Sequence, residues 1–331
     1  MNTNKIVITS IIAPPAIVPS ILAFLGGTLV SCTNTSHSQS VVIKDSDKLQ
    51  SIGVTLSDLG KPFFVAIGQG AEQEAKKIGN DVKVSVVPSA FDLNQQSNQI
   101  ENFVAANTDL VIVSAVDHQG IKPAIDNARL AGKVVIALDA AVDAEADATV
   151  SSNNLQAGEV ACQYIGDRLQ GKGNVVILNS IPMDSVIQRV KGCEQALSKH
   201  SESKIISKNQ NAEGSRKGGL RVMSVLTTFP KIDAVFATNY QSGVGTDLAA
   251  RQAQRSEFFI FGVDGAPDAV KAMTASNSLF AATAAQNPQE LAEKAVQVGN
   301  DIVQGKKPKL PTILIPVKLI TRDNVGSYKG W

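Results

Sequence analysis

The sequence predicts an α/β protein built from parallel, doubly wound sheets in two similar halves. From Ser51 onward, short continuous apolar runs alternate with longer amphipathic helical stretches. This alternation is typical of strand–helix units whose strands are buried on both faces. The composition agrees, because 44% of the residues are hydrophobic but only 5% are aromatic, so that aliphatic side chains must fill the core. There are too many units for one sheet, and we expect two halves to meet near Val150–Asn154.

The predicted elements follow one another in a regular order. Apolar runs of strand length occur at Ile52–Leu56, Val82–Val87, Leu110–Ser114, Val134–Leu138, Asn174–Leu178, Lys204–Ser207, Ala234–Ala237, Phe258–Gly262 and Phe280–Ala284. Helical patterns between them cover Phe64–Ile78, Gln95–Ala106, Ile121–Leu130, Ala157–Leu169, Asp184–Lys199, Arg216–Phe229 and Gly243–Arg255. Each strand therefore leads into a helix, which is the order that a parallel sheet requires.

The first 32 residues have the layout of a secretory signal. Lys5 precedes a mostly apolar run from Ile6 to Val30, and the run ends in Leu-Val-Ser-Cys, which resembles the lipobox of bacterial lipoproteins. We therefore expect residues 1–31 to be a signal peptide, Cys32 to be lipidated and residues 32–49 to form a tether. The alternative is an uncleaved membrane anchor, although three prolines interrupt the run. Both interpretations place the rest of the chain in the periplasm or on the outer face of the cell membrane.

The charge balance of the mature chain excludes some classes of partner. Residues 1–31 contain only Lys5, so their removal leaves 30 basic and 30 acidic residues. A neutral chain gives no reason to expect nucleic acid or an anionic membrane surface as partner. We expect membrane contact only through the lipid.

Two cysteines remain after Cys32. Cys162 and Cys193 both lie within helical patterns. In an oxidising compartment they could pair, but the sequence does not give their separation. We favour the interpretation that they are two small buried apolar residues.

Polar residues follow most of the predicted strands. In parallel α/β sheets, ligands bind beyond the carboxyl ends of the strands. The residues at these positions are Ser57-Asp58, Lys61 to Phe64, Ser114, Asp117-His118, Asp139, Asn239, Asp264 and Gln286-Asn287. Carboxylates and amides can hold hydroxyl groups without a charge match, and an aromatic ring can cover the apolar face of a sugar. The pattern indicates a neutral, polyhydroxylated ligand.

From Ser51 to about Thr321 the chain resembles the periplasmic sugar-binding proteins of bacterial ABC transporters, in the ribose-binding group. The matching segments are VTLSDLGKPFFVAIGQGAEQEA, VVIALDA, SSNNLQAG, SVIQRVKGCEQAL, FPKIDAVFATN, FGVDGAPDAVKAM and AATAAQNP. The resemblance implies two Rossmann-like lobes joined by a three-strand hinge, the type I periplasmic binding protein fold. It implies an N-terminal lobe of residues 50–152 and 287–314 and a C-terminal lobe of residues 153–286 and 315–331.

The resemblance also assigns binding roles to particular residues. Phe63 and Phe64 match the aromatic pair that stacks on the sugar, and Asp139 matches a carboxylate that holds ring hydroxyls. Arg189 matches an arginine that reaches the sugar from the second lobe. Three further hydrogen-bonding positions match Asn239, Asp264 and Gln286.

The chain departs from the ribose-type pattern at four positions. Lys61 and Ser114 stand where that pattern has asparagine, Ala140 replaces an arginine, and Val263 replaces an aromatic residue. We include Lys61 and Ser114 among the expected ligand-binding residues. The departures change the shape and polarity of the pocket, so we expect a monosaccharide or related polyol without assigning ribose.

No catalytic or metal-binding pattern is evident. His37, His118 and His200 are scattered, and there is neither a G-x-S-x-G elbow nor a Walker loop. We expect no enzyme activity, metal or cofactor. The alternatives are the core of a sugar-responsive transcription regulator, a sensor coupled to a chemoreceptor and an enzyme on the same scaffold. A regulator would carry a helix-turn-helix where this chain has its export signal.

We therefore expect the substrate-binding lipoprotein of an ABC importer. Its partners would be the permease subunits and a chemoreceptor, and the protein itself would be a monomer. The two lobes are expected to close on the ligand about crossovers near Val150–Asn154, Gln286–Pro288 and Ile313–Val317.

Overall fold

The computed structural model describes residues 48–181, 183–222, 227–328 and 330–331. Within this part of the chain, two six-stranded sheets each form the centre of one α/β lobe. The predicted signal peptide, Cys32 and nearly all of the predicted tether lie outside the described residues. Leu49, which we assigned to the tether, is instead fully buried in the core of the first lobe, so the folded part begins before Gln50.

The first lobe (lobe 1) contains an all-parallel sheet in the order β11-β5-β4-β3-β1-β2. Its strands are β1 (Ser51–Leu56), β2 (Lys83–Pro88), β3 (Leu110–Val113), β4 (Val134–Leu138), β5 (Ala148–Ser152) and β11 (Thr312–Ile315). Its helices are α1 (Pro62–Ile78), α2 (Leu93–Ala105), α3 (Lys122–Leu130) and α9 (Pro288–Val303).

The second lobe (lobe 2) has the sheet order β12-β10-β9-β8-β6-β7, in which β12 alone runs antiparallel to its neighbour. Its strands are β6 (Lys172–Asn179), β7 (Glu202–Asn211), β8 (Ala234–Ala237), β9 (Phe259–Asp264), β10 (Phe280–Ala285) and β12 (Lys318–Thr321). Its helices are α4 (Asn154–Arg168), α5 (Asp184–Leu197), α6 (Arg216–Arg221), α7 (Tyr240–Gln252) and α8 (Pro267–Thr274), followed by a 3₁₀ turn at Val325–Ser327.

Burial of both faces explains why the strands are continuous apolar runs. In β3, Leu110 and Ile112 belong to the core beneath α1 and α9, while Val111 and Val113 belong to the core beneath α2 and α3. All four side chains are fully buried. Burial of a side chain of this size contributes roughly 1.5–3 kcal/mol, so each alternate residue stabilises a different layer of the lobe.

The chain passes between the two sheets three times, at the positions that the sequence predicted. The first crossing runs from β5 into α4, the second from β10 into α9 and the third from β11 into β12. Two of these crossings are joined directly, because the amide of Asn153 donates to the carbonyl oxygen of Ile315 over 2.8 Å. The Gln156 side chain also accepts a hydrogen bond of 3.0 Å from the amide of Val317.

The sequence missed some elements and misjudged the extent of others. The predicted strands did not include β5, β11 and β12, and the predicted helices did not include α8 and α9. Strand β7 was predicted as Lys204–Ser207 but spans ten residues, because it pairs with β6 along most of its length. The helix predicted over Arg216–Phe229 is described as Arg216–Arg221, and residues 223–226 lie outside the described residues.

Candidate functional site

A cavity of about 100 Å³ lies between the carboxyl ends of the strands of the two lobes. Lobe 1 contributes residues from the start of α1 and from the loops after β2 and β4. Lobe 2 contributes residues from the first turns of α5 and α7, from the end of β9 and from the loops after β6, β7, β8 and β10. The lining residues are Lys61, Pro62, Phe63, Phe64, Phe91, Asp139, Ser180, Ile181, Met183, Ser185, Val186, Arg189, Glu213, Gly214, Asn239, Tyr240, Gln241, Asp264 and Gln286. Parallel strands bring these loops to one edge of each sheet, which is where α/β proteins bind ligands.

Each lobe presents one buried aspartate at the end of a central strand. Asp139 directly follows β4 and Asp264 is the last residue of β9. Both have a left-handed backbone, with φ of 72° for Asp139 and 103° for Asp264. Such a conformation costs of order 1–3 kcal/mol in a residue other than glycine and is found mainly at functional sites.

The carboxylate of Asp264 is held by groups of its own lobe. Its Oδ1 accepts a hydrogen bond of 2.7 Å from Nε2 of Gln286 and lies 3.4 Å from Nη1 of Arg189. Its Oδ2 accepts a bond of 3.3 Å from the amide of Tyr240. Asp264 is therefore fixed in position before any ligand arrives.

The guanidinium group of Arg189 is buried in the same network. Its Nε donates to Oδ1 of Asn154 over 2.9 Å, and its Nη1 donates to the carbonyl oxygen of Thr238 over 2.7 Å. Only 6% of the Arg189 side chain is exposed. Its Nη2 has no acceptor among the described residues, so this group is available to a ligand oxygen.

The helix that carries Arg189 is pressed against α4. A Cβ atom added to Gly158 would lie 1.9 Å from the carbonyl oxygen of Arg189, and one added to Gly192 would lie 2.1 Å from that of Leu155. The two helix backbones can approach this closely only because both positions are glycine.

Cys162 of α4 and Cys193 of α5 form a disulfide, with Cα atoms 4.8 Å apart. We favoured two unpaired, buried cysteines, and that interpretation was wrong. The close approach of α4 and α5, which sequence spacing does not reveal, brings the two sulfur atoms together. The disulfide ties the helix of Arg189 to the helix whose first residue, Asn154, binds the guanidinium group.

The carboxylate of Asp139 differs from that of Asp264 in its surroundings. No described residue donates a hydrogen bond to this side chain, although it is only 5% exposed. Burial raises the pKa of Asp139 to about 6; the charge of Arg189 opposes this increase and the charge of Asp264 adds to it. Asp139 is thus a buried acceptor that lacks a donor.

The start of α1 supplies an aromatic wall and an amine. The rings of Phe63 and Phe64 meet edge to face, with centroids 5.4 Å apart. Nζ of Lys61 lies 4.9 Å from the centroid of the Phe91 ring, a cation–π contact. Burial lowers the pKa of Lys61, while the carboxylates of Asp264 and Asp58 act in the opposite direction.

Two amide side chains complete the polar lining. Asn239 caps α7, because its side-chain oxygen accepts from the amide of Ser242 over 2.9 Å. Gln286 uses Nε2 to bind Asp264, but its Oε1 is buried and accepts no hydrogen bond within the described part of the chain. An unsatisfied buried acceptor costs roughly 1–3 kcal/mol, which a donor from a ligand would recover.

Eight of the nine predicted binding residues line the cavity, namely Lys61, Phe63, Phe64, Asp139, Arg189, Asn239, Asp264 and Gln286. Ser114 does not. It is fully buried beside Ser57 and Gln96, whose side chains both donate to its carbonyl oxygen, because it still pairs with the neighbouring strand.

Phe91 and Tyr240 also line the cavity, although no sequence pattern pointed to them. Asn154, the first residue of α4, binds Arg189. The N-cap of α4 is Asn153, whose side chain accepts from the amide of Gln156. None of the helices formed by the described residues is both long and apolar enough to cross a membrane.

Residues 52–307 match the model of the periplasmic binding protein domain family. The ribose import binding protein of Bacillus subtilis is 32% identical over 273 residues, which cover 82% of this chain and 87% of that protein. The xylitol-binding protein of Mycolicibacterium smegmatis is 30% identical and covers 83% of this chain and 78% of its own length.

Among solved structures, an ABC transporter solute-binding protein from Bacillus halodurans with bound myo-inositol superimposes with a TM-score of 0.78 and 26% identity. The match covers 86% of this chain and 99% of that one. Both the family match and the two-lobed fold agree with the type I periplasmic binding protein architecture expected from the sequence. The chain therefore belongs to the periplasmic binding protein domain family.

Proposed function

We propose that this protein is the substrate-binding component of an ABC importer and that it binds a monosaccharide or related polyol between its lobes. The observation that carries the proposal is a set of side-chain groups without hydrogen-bond partners around one cavity. The carboxylate of Asp139 and the buried Oε1 of Gln286 lack donors among the described residues, and Nη2 of Arg189 lacks an acceptor there. A hydroxyl group both donates and accepts, so a polyhydroxylated ligand can satisfy all three.

The aromatic residues of the cavity favour a ligand with a ring-shaped or extended carbon skeleton. Phe63 and Phe64 line the same cavity as the two aspartates. Their rings can cover the apolar C–H face of a sugar while the polar groups bind its edge. The proposed ligand-binding set is Lys61, Phe63, Phe64, Asp139, Arg189, Asn239, Asp264 and Gln286.

The charge of the cavity favours a neutral ligand. Three carboxylates line the cavity, those of Asp139, Glu213 and Asp264, together with the cations of Lys61 and Arg189. Arg189 is already paired with Asp264, and Glu213 with Arg221. An anionic ligand would have to compete with Asp264 for the arginine. We therefore expect neutral sugars to bind more tightly than sugar phosphates, with weak dependence of the affinity on salt.

The lobes are proposed to move as two rigid bodies, lobe 1 and lobe 2 as their sheets define them, with both Leu49 and Ile315 in lobe 1. Ligand contacts come from both lobes, so they are complete only in the closed form. A ligand can favour closure only by this difference in contacts. Outside the described residues, Cys32 is proposed to carry the lipid anchor, and replacing it with alanine should abolish lipidation.

The remaining partners are part of the same proposal. An importer requires permease subunits, which we infer to contact the closed protein, and a chemoreceptor is a further candidate partner. We infer a monomer without catalytic activity or cofactor. This agrees with a family that binds solutes.

A thermal-shift screen followed by calorimetry tests the proposal. The panel contains D-ribose, xylitol and myo-inositol, with D-ribose 5-phosphate as the anionic comparison. A ligand at about 100 times its dissociation constant should stabilise the protein by about 2.7 kcal/mol. Small-angle scattering should show compaction with the same ligand. Tight binding of the phosphate together with no binding of any neutral member would overturn the proposed ligand class.

A further inference from the structure

Two aromatic side chains of lobe 2 bind the backbone of the turn that carries Asp264. The hydroxyl of Tyr328 donates a hydrogen bond of 2.8 Å to the carbonyl oxygen of Gly265. The indole Nε1 of Trp331 donates one of 2.8 Å to the carbonyl oxygen of Asp264. Consecutive carbonyl groups of one turn are thus held by two side chains that lie close together in sequence.

This turn needs such support. The backbone of Asp264 has φ of 103°, which a residue with a Cβ atom adopts only when its surroundings enforce it. The carboxylate is held from the cavity side by Arg189 and Gln286. Tyr328 and Trp331 hold the backbone, so the direction of the carboxylate depends on both sets of contacts.

Trp331 also reaches the other lobe. Its ring lies edge to face against Phe63 of α1, with centroids 5.8 Å apart and an interplanar angle of 75°. Phe63 lines the cavity. One side chain of lobe 2 therefore contacts both the backbone of Asp264, a proposed ligand-binding residue, and a proposed stacking ring.

We propose that Tyr328 and Trp331 are positioning residues for the binding site, and that the Trp331–Phe63 contact is part of the interface that forms when the lobes close. The role in affinity rests on the proposed function, because it assumes a ligand between Asp264 and Phe63. The contact between the lobes does not rest on it. The two parts of the proposal are tested separately.

The surroundings of Trp331 make the contact measurable. A gap of about 350 Å³ borders the indole, between α1 and the start of α8, so that the ring is only partly buried. Trp331 is the only tryptophan of the chain, and its fluorescence reports this position alone. Movement of the lobes changes how much water reaches the ring.

The first test uses no ligand. Phe63→Leu removes the ring partner of Trp331, and we expect a red-shifted emission maximum and stronger quenching by iodide than in the wild type. Phe91→Leu is the matched control, because Phe91 lines the cavity without a ring contact to Trp331. Identical spectra for the wild type and the Phe63→Leu variant would overturn the contact between the lobes.

The second test measures affinity by calorimetry with whichever of D-ribose, xylitol and myo-inositol binds the wild type most tightly. Trp331→Leu removes the ring contact and the hydrogen bond, and we expect roughly tenfold weaker binding. Trp331→Phe retains a ring and should recover part of the loss. Tyr328→Phe removes only the hydroxyl and should weaken binding by a smaller factor.

A purely structural role would give a different result. It would lower the midpoint of thermal unfolding but leave the dissociation constant of the folded protein unchanged. Wild-type affinity in the Trp331→Leu variant would therefore overturn the positioning role. If the wild type binds none of the three sugars, the proposed ligand class fails, whereas the ligand-free fluorescence still decides whether Trp331 joins the lobes.

Discussion

Asp139 in lobe 1 and Asp264 in lobe 2 occupy equivalent places but have opposite surroundings. Both stand at the carboxyl end of a central parallel strand, both are buried and both have a left-handed backbone. Asp264 accepts hydrogen bonds from Gln286 and the Tyr240 amide and pairs with Arg189. The carboxylate of Asp139 accepts none from the described residues, and its pKa is raised to about 6. Equivalent topology therefore does not give equivalent chemistry.

The difference shows how the site divides its work. In lobe 2, hydrogen bonds from neighbouring groups hold the carboxylate of Asp264, so this half of the site is ordered without ligand. Lobe 1 leaves its carboxylate without donors, at a cost in stability that a ligand hydroxyl can recover. We expect the two aspartates to respond in opposite ways to the same substitution.

The largest expected effect comes from a matched pair of isosteric variants. Asp264→Asn leaves Arg189 buried without its carboxylate partner, which should lower the free energy of unfolding by about 3–5 kcal/mol. Asp139→Asn removes a buried carboxylate that lacks donors, and should raise the free energy of unfolding at pH 7.5 by up to about 3 kcal/mol. Urea unfolding measures the free energy of unfolding of both variants. Equal changes of the same sign would show that the two aspartates do not differ in their surroundings as described.

The sign for Asp139 follows from proton linkage. Its folded-state pKa is about 6 and the ordinary value is 3.8, so the folded protein binds more protons than the unfolded chain between these values. The contribution of Asp139 therefore lowers the wild-type stability as the pH rises from about 4 to about 6, and is constant above that. The difference between Asp139→Asn and the wild type should grow over this window.

The second prediction tests whether the part of the site formed by lobe 2 is ordered before a ligand binds. The double variant Cys162→Ser/Cys193→Ser removes the link between α4 and α5, whose cysteines are 31 residues apart. It should cost about 2–4 kcal/mol of unfolding free energy. Because α5 carries Arg189, sugar affinity should fall as well. A reductant should lower both the unfolding free energy and the sugar affinity of the wild type, and should change neither in the double variant.

The third prediction concerns ligand affinity. Asp139→Asn removes the proposed charged acceptor of a ligand hydroxyl, and we expect a loss of about 1.5–3 kcal/mol, or roughly 10- to 150-fold in affinity. Ser114→Ala is the control, since Ser114 is buried in lobe 1 but does not line the cavity. Calorimetry with the tightest sugar of the panel should show normal binding in the control. A loss in Ser114→Ala comparable to that in Asp139→Asn would contradict the geometry of the site.

The smallest expected effect is on pH dependence. With a pKa of about 6, roughly a tenth of Asp139 is ionised at pH 5. If the ionised form binds the ligand, wild-type affinity should fall about tenfold between pH 7.5 and pH 5, while Asp139→Asn should show a flat profile. A profile shared by both proteins would assign the titration to another group.

The sequence predicted the central strands well because each is buried on both faces. Strands β4 and β8 were predicted with their exact bounds, since Val134–Leu138 and Ala234–Ala237 are bounded by polar residues. The hinge strands β11 and β12 were missed as strands. They have only four residues each, and they contain exposed side chains that break the apolar pattern.

The candidate site was predicted where it follows strands and missed where it depends on tertiary packing. Asp139 and Asp264 were found because topology alone brings strand ends together. Phe91 and Trp331 approach the cavity from loops or from a distant segment, and no local pattern signals their position. The disulfide likewise depends on the contact of α4 with α5.

The hydrogen bonds between the crossing segments have a mechanical consequence. Asn153 is bonded to Ile315, and Val317 is bonded to Gln156, so the first and third crossings are fastened side by side. Two chain segments that are hydrogen-bonded side by side can bend together about one axis, but they resist sliding or twisting relative to each other. We therefore expect the lobes to open by rotation about a single hinge axis. A single distance between one label on each lobe would consequently describe the whole motion.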